Sequence, residues 1–494
     1  MPSLLLSLKI SLDGSRERIF MQNNNIIDFL DLEDANVRIT NIEISGDQKI
    51  ITLETVPYRH YCPVCGSLMH SRGLKTRMIH HPILQDTYEL VIKLRQRRWK
   101  CTNDICGYEL NESFNFVSKY QRYTNASEIL IVREFKNLYA TARDIADKFH
   151  TSDSNVLNIF DKYVNMQRLP LSDAISIDEV YLNMDDRCKY VLVIQDFYTG
   201  NTIDLIHSRQ ARATLPYFAS IPKEERNRVR YLISDMYNPY LEYPKKYFPN
   251  AVSVVDSFHV IQWINHSIDE FLRSLLNQFK ERDAERKARL EMEAGHSLYI
   301  PMSDEVYLLQ NYKWLMLKNQ SNILYHQDPR IDKHFRYYMN TYDYEYQFYQ
   351  IHPALKELHS LKEEYVNFNE RNAGDPEKAS AEIDILIDKY LSCDHDMFHD
   401  FGRLLKKYRE PIINSFVMVS KIGPGNIEYE TRLSNGPIES LNRKAKDLKR
   451  MGRGYRNFSH LRNRFLYATR DRTPLDGTEK DEPKYIEYDD QFTI

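Results

Sequence analysis

The sequence predicts a multidomain α/β protein, and three observations lead to that prediction. The chain has 494 residues, enough for about two to four domains. Four cysteines are confined to a segment at 56–120, and a segment at 121–168 has helical periodicity. In the segment at 171–264, short β-branched runs alternate with helical runs, which is typical of a mixed sheet. A long helical stretch at 265–425 then precedes a basic segment at 426–472, which we expect to complete the mixed core.

The formal net charge of −3 conceals an uneven distribution of charge. The stretch from Arg432 to Arg472 is densely basic, whereas the tail at 473–494 is acidic. Local patches, rather than the total, decide whether a chain can contact nucleic acid. The basic segment is therefore a candidate phosphate-binding surface, although a solvated helix face is the plainer interpretation of a charge run. The expected phosphate contacts are Arg443, Lys444, Lys446 and Lys449.

The two ends of the chain carry little information about function. Residues 1–55 alternate polar and apolar side chains and predict a small β-rich element. The N-terminus has a short apolar patch but neither the basic region nor the cleavage site of a secretion signal. No apolar run reaches the roughly 18 residues that a membrane helix needs. We therefore expect a soluble, intracellular protein without a membrane partner.

Four of the six cysteines form two pairs that predict a zinc-binding module. Cys62 and Cys65 form C-x2-C, and Cys101 and Cys106 form C-x4-C. Two thiolate pairs of this kind suit tetrahedral Zn²⁺. A reducing environment favours a metal site over disulfides, although redox-active or unrelated cysteines remain the alternative.

Residues 121–168 predict a helix-turn-helix. Apolar residues from Ala142 to Phe160 lie at helical spacing on both sides of a short break, and Thr151 or Ser152 would cap the second helix. In such a motif the second helix enters the major groove of DNA, but short helical hairpins are also common as structural elements. The DNA contacts expected in the front half are Arg97 and Arg98 beside the third cysteine, and Ser154, Asn155 and Asn158 on the second helix.

The order of elements after Pro170 is that of a ribonuclease-H-like core: three strands, a helix, a strand, a helix, a strand and a helix. In that fold one carboxylate lies on the first strand and a second lies just after the fourth. Asp178 and Asp235 occupy these places, and Glu439 begins the basic helical run that would deliver a third. The helical stretch at 265–425 then reads as a large insertion into this core.

Three carboxylates without matching cations need a divalent metal, and Mg²⁺ or Mn²⁺ suits such oxygen ligands. Two such ions can activate an attacking oxygen and stabilise a leaving one on phosphorus. Other acids compete for the site. Glu179 follows Asp178 directly, but neighbouring strand residues face opposite sides. Asp256 and His259, at the end of the last strand, are candidates for supporting the site from behind the ligands.

These motifs resemble the transposases of bacterial insertion sequences of the ISL-three type. The resemblance runs from about Tyr61 to Tyr467 and includes, in order, CPVC, CTNDIC, SIDEV, SDM, VVDSFHV and NGPIESLNRKAK. It implies a DDE carboxylate triad of Asp178, Asp235 and Glu439 on a ribonuclease-H-like core. It also implies zinc at the four cysteines.

The resemblance implies a metal-dependent enzyme that binds the terminal inverted repeats of its element, cuts there and joins the ends to target DNA. Its partners would be double-stranded DNA, at the element ends and at the target, and a second copy of the chain on that DNA. Its location would be the bacterial cytoplasm, at the nucleoid. Two alternatives remain: a nuclease that does not transpose, and a DNA-binding regulator with an inactive core.

Overall fold

The computed structural model separates the chain into two compact units. Unit 1 comprises residues 1–165 and 472–494, and unit 2 comprises residues 166–471. The predicted acidic tail lies outside the described residues from position 476 onward, as does most of the chain before residue 36. No helix within the described residues is long and apolar enough to cross a membrane. The structure describes residues 30, 32, 34, 36–84, 88–185, 188–326, 328–423, 426–452 and 455–475.

Unit 1 contains, in its described part, one six-stranded sheet with the order β1-β2-β5-β4-β3, and β6 pairs with β5. Neighbouring strands are antiparallel except β2 and β5, which are parallel. The predicted boundary between 1–55 and 56–120 therefore runs through a single sheet. Strand β2 belongs to this sheet because it shares a buried apolar face with β5. Leu53 on β2 and Leu94 on β5 are paired, and both are fully buried. The strands are β1 Val37–Ser45, β2 Gln48–Thr55, β3 His60–Tyr61, β4 Leu68–Leu84, β5 Glu89–Cys101 and β6 Glu109–Asn111.

Three short helices follow the sheet in unit 1: α1 Asn125–Glu134, α2 Ala142–Lys148 and α3 Asp153–Tyr163. Ser152, one of the two predicted caps, accepts a hydrogen bond from the N–H of Asn155 and begins α3. His150 connects α2 to α3 with a left-handed φ of 51°. The buried residues that hold α2 and α3 together are Ile145, Ala146, Phe149, Val156, Ile159 and Phe160.

Unit 2 is built, in its described part, around a five-stranded sheet with the order β11-β10-β7-β8-β9. The first three strands along the chain are antiparallel neighbours, whereas β10 runs parallel to both β7 and β11. The α/β class is thereby confirmed. The strands are β7 Ala174–Asp185, β8 Cys188–Asp196, β9 Thr202–Ile206, β10 Tyr231–Ser234 and β11 Val252–Val255. The intervening helices are α4 Ala211–Ser220, α5 Lys223–Arg226, α6 Asn238–Leu241 and α7 Tyr243–Tyr247.

The helical part of unit 2 starts earlier than the predicted residue 265. Helix α8 spans Ser257–Ala294 without interruption. It begins directly after β11 because Asp256 caps its first turn. At the other end, an antiparallel hairpin of β14 and β15 crosses the predicted boundary at 425. The further helices are α9 Asp304–Asn311, α10 Trp314–Leu317, α11 Thr341–Gln350, α12 Ala354–Arg371, α13 Pro376–Ser392, α14 Asp396–Lys407 and α15 Arg409–Asn414. The further strands are β12 Arg330–Ile331, β13 Tyr338–Met339, β14 Met418–Ile422 and β15 Glu428–Arg432.

Two helices complete unit 2: α16 Gly436–Met451, which carries Glu439, and α17 Phe458–Thr469. Helix α17 is tied to the edge strand β9 by Arg462. Its Nε donates to Asp204 Oδ1 at 2.6 Å, and its Nη1 donates to the carbonyl of Met166 at 2.7 Å. Asp204 is 3% exposed, so this ion pair is largely removed from water.

We expect Arg462→Met to lower the free energy of unfolding by about 3–5 kcal/mol, because it leaves the buried carboxylate of Asp204 without its cation. Chemical denaturation of the full chain measures this change. The matched control is Arg403→Met, which removes one partner of the exposed pair with Asp400 and should cost at most about 1 kcal/mol. Equal effects of the two substitutions would contradict the assigned role of Arg462.

Candidate active site and cysteine cluster

Asp178 and Asp235 meet in the middle of the five-stranded sheet, where β10 ends beside β7. Strand β10 pairs with β7 as far as Ile233 and Ser176, and Asp235 comes directly after β10 ends. Because the two strands are parallel, the chain that leaves β10 lies beside the continuation of β7. Carboxylate oxygens of Asp178, Glu179 and Asp235 lie within 4.8 Å of one another.

The carboxylate of Glu179 reaches this site, contrary to the expectation from strand alternation. Alternation fixes the direction of Cβ, but a glutamate side chain is long enough to bend around the end of a strand. Here β10 no longer pairs with β7, and two donors hold the carboxylate of Glu179. Arg209 donates to Oε1 of Glu179, and the hydroxyl of Tyr240 donates to Oε2.

The electrostatics of the pair favour a cation. Burial, followed by the charges of Asp235 and Glu179, raises the pKa of Asp178 to about 7. Burial also raises the pKa of Asp235, and the charge of Glu179 adds to that effect. A divalent ion with oxygen ligands would relieve both the repulsion and the loss of hydration. The donor set of half-buried, crowded carboxylates therefore fits such an ion.

Glu439 lies apart from the cluster that the other three acids form within 4.8 Å. It occupies the first turn of α16, its side chain is 41% exposed, and its Oε1 is 3.7 Å from Nε2 of His259. That buried nitrogen has no hydrogen-bond partner among the described residues. The charge of His259 also lowers the pKa of both Asp178 and Asp235. His259 is therefore next to Glu439 and near enough to Asp178 and Asp235 to affect their pKa values.

Asp256, the other predicted supporting residue, joins two helices rather than facing the carboxylates. Its Oδ1 accepts from the N–H of Phe258 at 2.9 Å, at the start of α8. Its Oδ2 accepts from the N–H of Asn435 at 2.6 Å, at the start of α16. Asp256 is 4% exposed and thereby fixes where the helix that carries Glu439 begins.

Asn442 also contacts the site, although no sequence motif indicated it. Its Nδ2 donates to Oδ2 of Asp178 at 2.7 Å, so the amide orients the carboxylate. Asn442 lies three positions after Glu439 on α16, and residues at that spacing share a helix face. The spacing of three residues from Glu439 is the sequence feature that could have indicated Asn442.

The basic residues predicted on α16 divide into two groups. Arg443, Lys444 and Lys446 are exposed. Lys449 is half-buried, and its Nζ donates to the carbonyl oxygen of Asn183 at 2.6 Å, so it braces α16 against β7.

The four cysteines converge as the spacing predicts. Their sulfur atoms all lie within 4.8 Å of one another, with Sγ of Cys62 3.7 Å from that of Cys106 and Sγ of Cys65 3.5 Å from that of Cys101. Zinc bonds of about 2.3 Å in a tetrahedron place sulfurs about 3.8 Å apart, which matches. Hydrogen bonds from Ser67 lower the pKa of Cys65 to about 6, whereas burial raises that of Cys101 to about 12.

The backbone around the cysteines is built as two similar turns. One turn follows β3 and the other follows β5, and each ends in a glycine with positive φ directly after the second cysteine. Gly66, at φ 73°, donates to the carbonyl of Cys62 at 2.9 Å, and Gly107, at φ 58°, donates to that of Asn103 at 3.0 Å. A side chain at either glycine would strain the turn. The cluster is thus compatible with zinc in backbone as well as in sulfur positions.

The predicted DNA contacts in unit 1 differ in accessibility. Arg97 is 14% exposed and pairs with Glu54 and Glu112, so the structure places it inside the protein rather than on a DNA-facing surface. Arg98 is exposed. On α3, Ser154 and Asn158 are exposed, whereas Asn155 is half-buried and its Nδ2 donates to Oγ1 of Thr151 at 3.0 Å. A groove of about 900 Å³, which the sequence did not indicate, is lined in part by Lys75, Arg77, Lys119 and Arg122.

The geometry describes an α/β protein with a carboxylate site in the middle of a sheet, and comparison with known proteins identifies the group to which it belongs. Residues 175–465 match the model of the ISL3 family of DDE transposases, described as a transposase. The match covers more than half of the chain, which therefore belongs to this transposase family. The resemblance that the motifs predicted is confirmed.

One relative is the transposase for insertion sequence element IS1001 of Bordetella parapertussis. The two sequences are 22% identical over an alignment of 286 residues that covers 55% of this chain and 62% of the relative. The chain thus spans less than two thirds of the length of that relative.

We expect Asp256→Ala to lower the free energy of unfolding by about 2–4 kcal/mol. The substitution removes a helix cap and leaves a buried N–H of Asn435 unpaired. Asp256→Asn is the matched control, because it keeps one acceptor oxygen and should lose roughly half as much. Chemical denaturation compares the two, and an alanine variant as stable as the unmodified chain would refute the joining role.

Proposed function

We propose that this chain is a DDE-type transposase that binds the terminal inverted repeats of an insertion sequence and catalyses DNA cleavage and strand transfer. Membership of the transposase family supports the reaction class. The observation that carries the proposal is the clustering of Asp178, on β7, with Asp235, directly after the end of the parallel neighbour β10.

The proposed core is ribonuclease-H-like. Three antiparallel strands followed by two parallel ones, with β7 in the centre of the sheet, support this assignment. The first carboxylate then lies on the central strand and the second at the end of its neighbour. The helical segment between β11 and α16 would be an insertion before the third acidic residue. We also propose that α2 and α3, two short capped helices joined by a brief connection, form a helix-turn-helix.

Asp178, Asp235 and Glu439 are proposed to hold Mg²⁺ or Mn²⁺. When bound, such ions supply charge neutralisation on phosphorus-bound oxygens and activation of the attacking oxygen. Asn442 would keep Oδ2 of Asp178 oriented. Both oxygens of Glu179 already accept hydrogen bonds, whereas Glu439 is more exposed and lies beside His259. Glu439 is for this reason the better candidate for the third ligand.

The proposed reaction has two displacements on phosphorus. In the first, water attacks a phosphodiester at the element end, the bond to the 3′ oxygen breaks, and that oxygen leaves as a hydroxyl. In the second, the hydroxyl attacks a target phosphodiester and displaces the neighbouring 3′ oxygen. Since two element ends must be joined, we propose that two copies of the chain act together on DNA.

The DNA contacts are proposed on two surfaces. On unit 2, the exposed cations of α16 that follow Glu439 would contact phosphates near the carboxylates. On unit 1, the exposed residues of α3 would contact base edges, which specify sequence, and Arg98 would contact the backbone. Arg97 is omitted from this proposal because its guanidinium pairs with two glutamates.

We expect Asp178→Asn, Asp235→Asn and Glu439→Gln each to reduce cleavage by roughly 100-fold or more, because ions bind the charged carboxylates. Binding of element ends should change far less. The assay incubates the full chain with Mg²⁺ and labelled duplex that carries the ends of its element, and maps the products. Glu430→Gln, at an exposed acid on β15, is the control that should retain activity.

The same assay separates the alternatives. Loss of cleavage in Glu179→Gln, with Glu439→Gln unaffected, would make Glu179 the third ligand. Cleavage without any joining to target DNA would indicate a nuclease that does not transpose. Specific binding without cleavage by the unmodified chain would indicate a regulator with an inactive core.

We also propose that the four-cysteine cluster binds one Zn²⁺ per chain. Elemental analysis of protein purified without chelators should find one zinc, and a Cys62→Ser/Cys101→Ser double variant should lose it because two of four thiolates are gone. Cys393→Ser, at a half-buried cysteine outside the cluster, should retain it. Unchanged zinc in the double variant would rule out this site.

A further inference from the structure

Two exposed tyrosines flank one arginine beside the carboxylate site, and a third tyrosine packs against one of them. The guanidinium carbon of Arg209 lies 4.3 Å from the ring centre of Tyr190 and 5.1 Å from that of Tyr237. Tyr181 packs edge-on against Tyr190, with ring centres 5.3 Å apart. We call Tyr181, Tyr190, Tyr237 and Arg209 the aromatic platform.

The aromatic platform is attached to the residues that form the site. Arg209 donates to Glu179, whose carboxylate lies within 4.8 Å of those of Asp178 and Asp235. The backbone N–H of Tyr237 donates to Oδ1 of Asp235 at 3.0 Å. A nucleotide next to a phosphate brought to this site would therefore lie within reach of the rings.

Fixing Arg209 against Glu179 does not by itself explain the exposure of the rings. Tyr181 is 49% exposed, and Tyr190 and Tyr237 are each 37% exposed. Clustered large side chains left open to water mark a binding surface more often than scattered ones do. Flat rings with an adjacent guanidinium present the chemistry that stacks a nucleobase, and the positive charge also suits its phosphate.

We propose that the aromatic platform stacks one base that leaves the duplex next to the phosphodiester to be cut. The proposal rests on the proposed transposase function, because that function brings DNA to the carboxylates. Asp178 and Asp235 are half-buried, so an intact duplex is hard to bring against them. Removing one base from the stack lets the backbone bend toward the site, and the rings offset the lost stacking.

The first experiment measures cleavage by full-length variants. Tyr190→Ala should slow cleavage of intact duplex by roughly 5- to 150-fold, the factor that the loss of one base–aromatic stack carries. Tyr190→Phe should keep nearly full activity, because stacking needs the ring and not the hydroxyl. Tyr346→Ala, at an exposed tyrosine on α11, is the matched control and should cleave normally. Thermal unfolding confirms that each variant is folded.

The signature of stacking is rescue by the DNA. One abasic position beside the cut should restore cleavage by Tyr190→Ala to within about threefold of the unmodified chain, because no base then has to be held. Cleavage by Tyr190→Ala at the unmodified rate, or a slow rate that no abasic position restores, overturns the platform and leaves the transposase function standing.

The second experiment measures binding in buffer without added divalent ions, so its result does not depend on cleavage. A single mismatch at the stacked position should tighten binding by the unmodified chain, since a mismatched base leaves the duplex more easily. Tyr190→Ala should lose this gain. An unmodified chain that fails to cleave element ends overturns the proposed function, and the absence of any mismatch position that tightens binding overturns the platform.

Discussion

The close approach of the carboxylates of Asp178 and Asp235 is the constraint on which unit 2 depends. Like charges at this distance repel, and partial burial removes the water that would otherwise stabilise them. The fold offsets this cost with oriented donors. Asn442 donates to Asp178, and the backbone of Tyr237 donates to Asp235. Such a site gains most from a divalent cation, since one ion neutralises both groups at once.

The two hydrogen bonds of Asp256 explain how a long helical segment can separate the parts of the site in sequence. Asp256 and Asn435 are 179 positions apart, yet one carboxylate caps α8 and receives the N–H that precedes α16. The chain thus leaves and re-enters the sheet edge at one buried point. Both ends of the helical segment are therefore anchored at the same carboxylate.

Local pattern was enough to predict the features that local geometry controls. The strand with Asp178, the strand that ends before Asp235 and the two cysteine pairs all follow from spacing and alternation. The environment of Arg97 could not be predicted, because its partner Glu54 lies on β2, which reaches β5 only through sheet pairing. Glu179 escaped prediction for a related reason. Alternation predicts only the direction of Cβ. The position of the Glu179 carboxylate depends on the end of β10 and on the hydrogen bonds from Arg209 and Tyr240.

The two glutamates nearest the aspartate pair can be assigned different tasks on physical grounds. A metal ion at Glu179 would have to replace hydrogen bonds from both Arg209 and Tyr240, and would release the arginine that the tyrosine rings enclose. Glu439 is 41% exposed, so its carboxylate is less constrained even though it lies 3.7 Å from His259. In the proposed assignment, Glu179 would therefore anchor the aromatic platform, and Glu439 would be the residue that turns toward an ion. On this assignment the metal site and the stacking surface meet at Glu179, so the ion and an unpaired base would be positioned by one set of contacts.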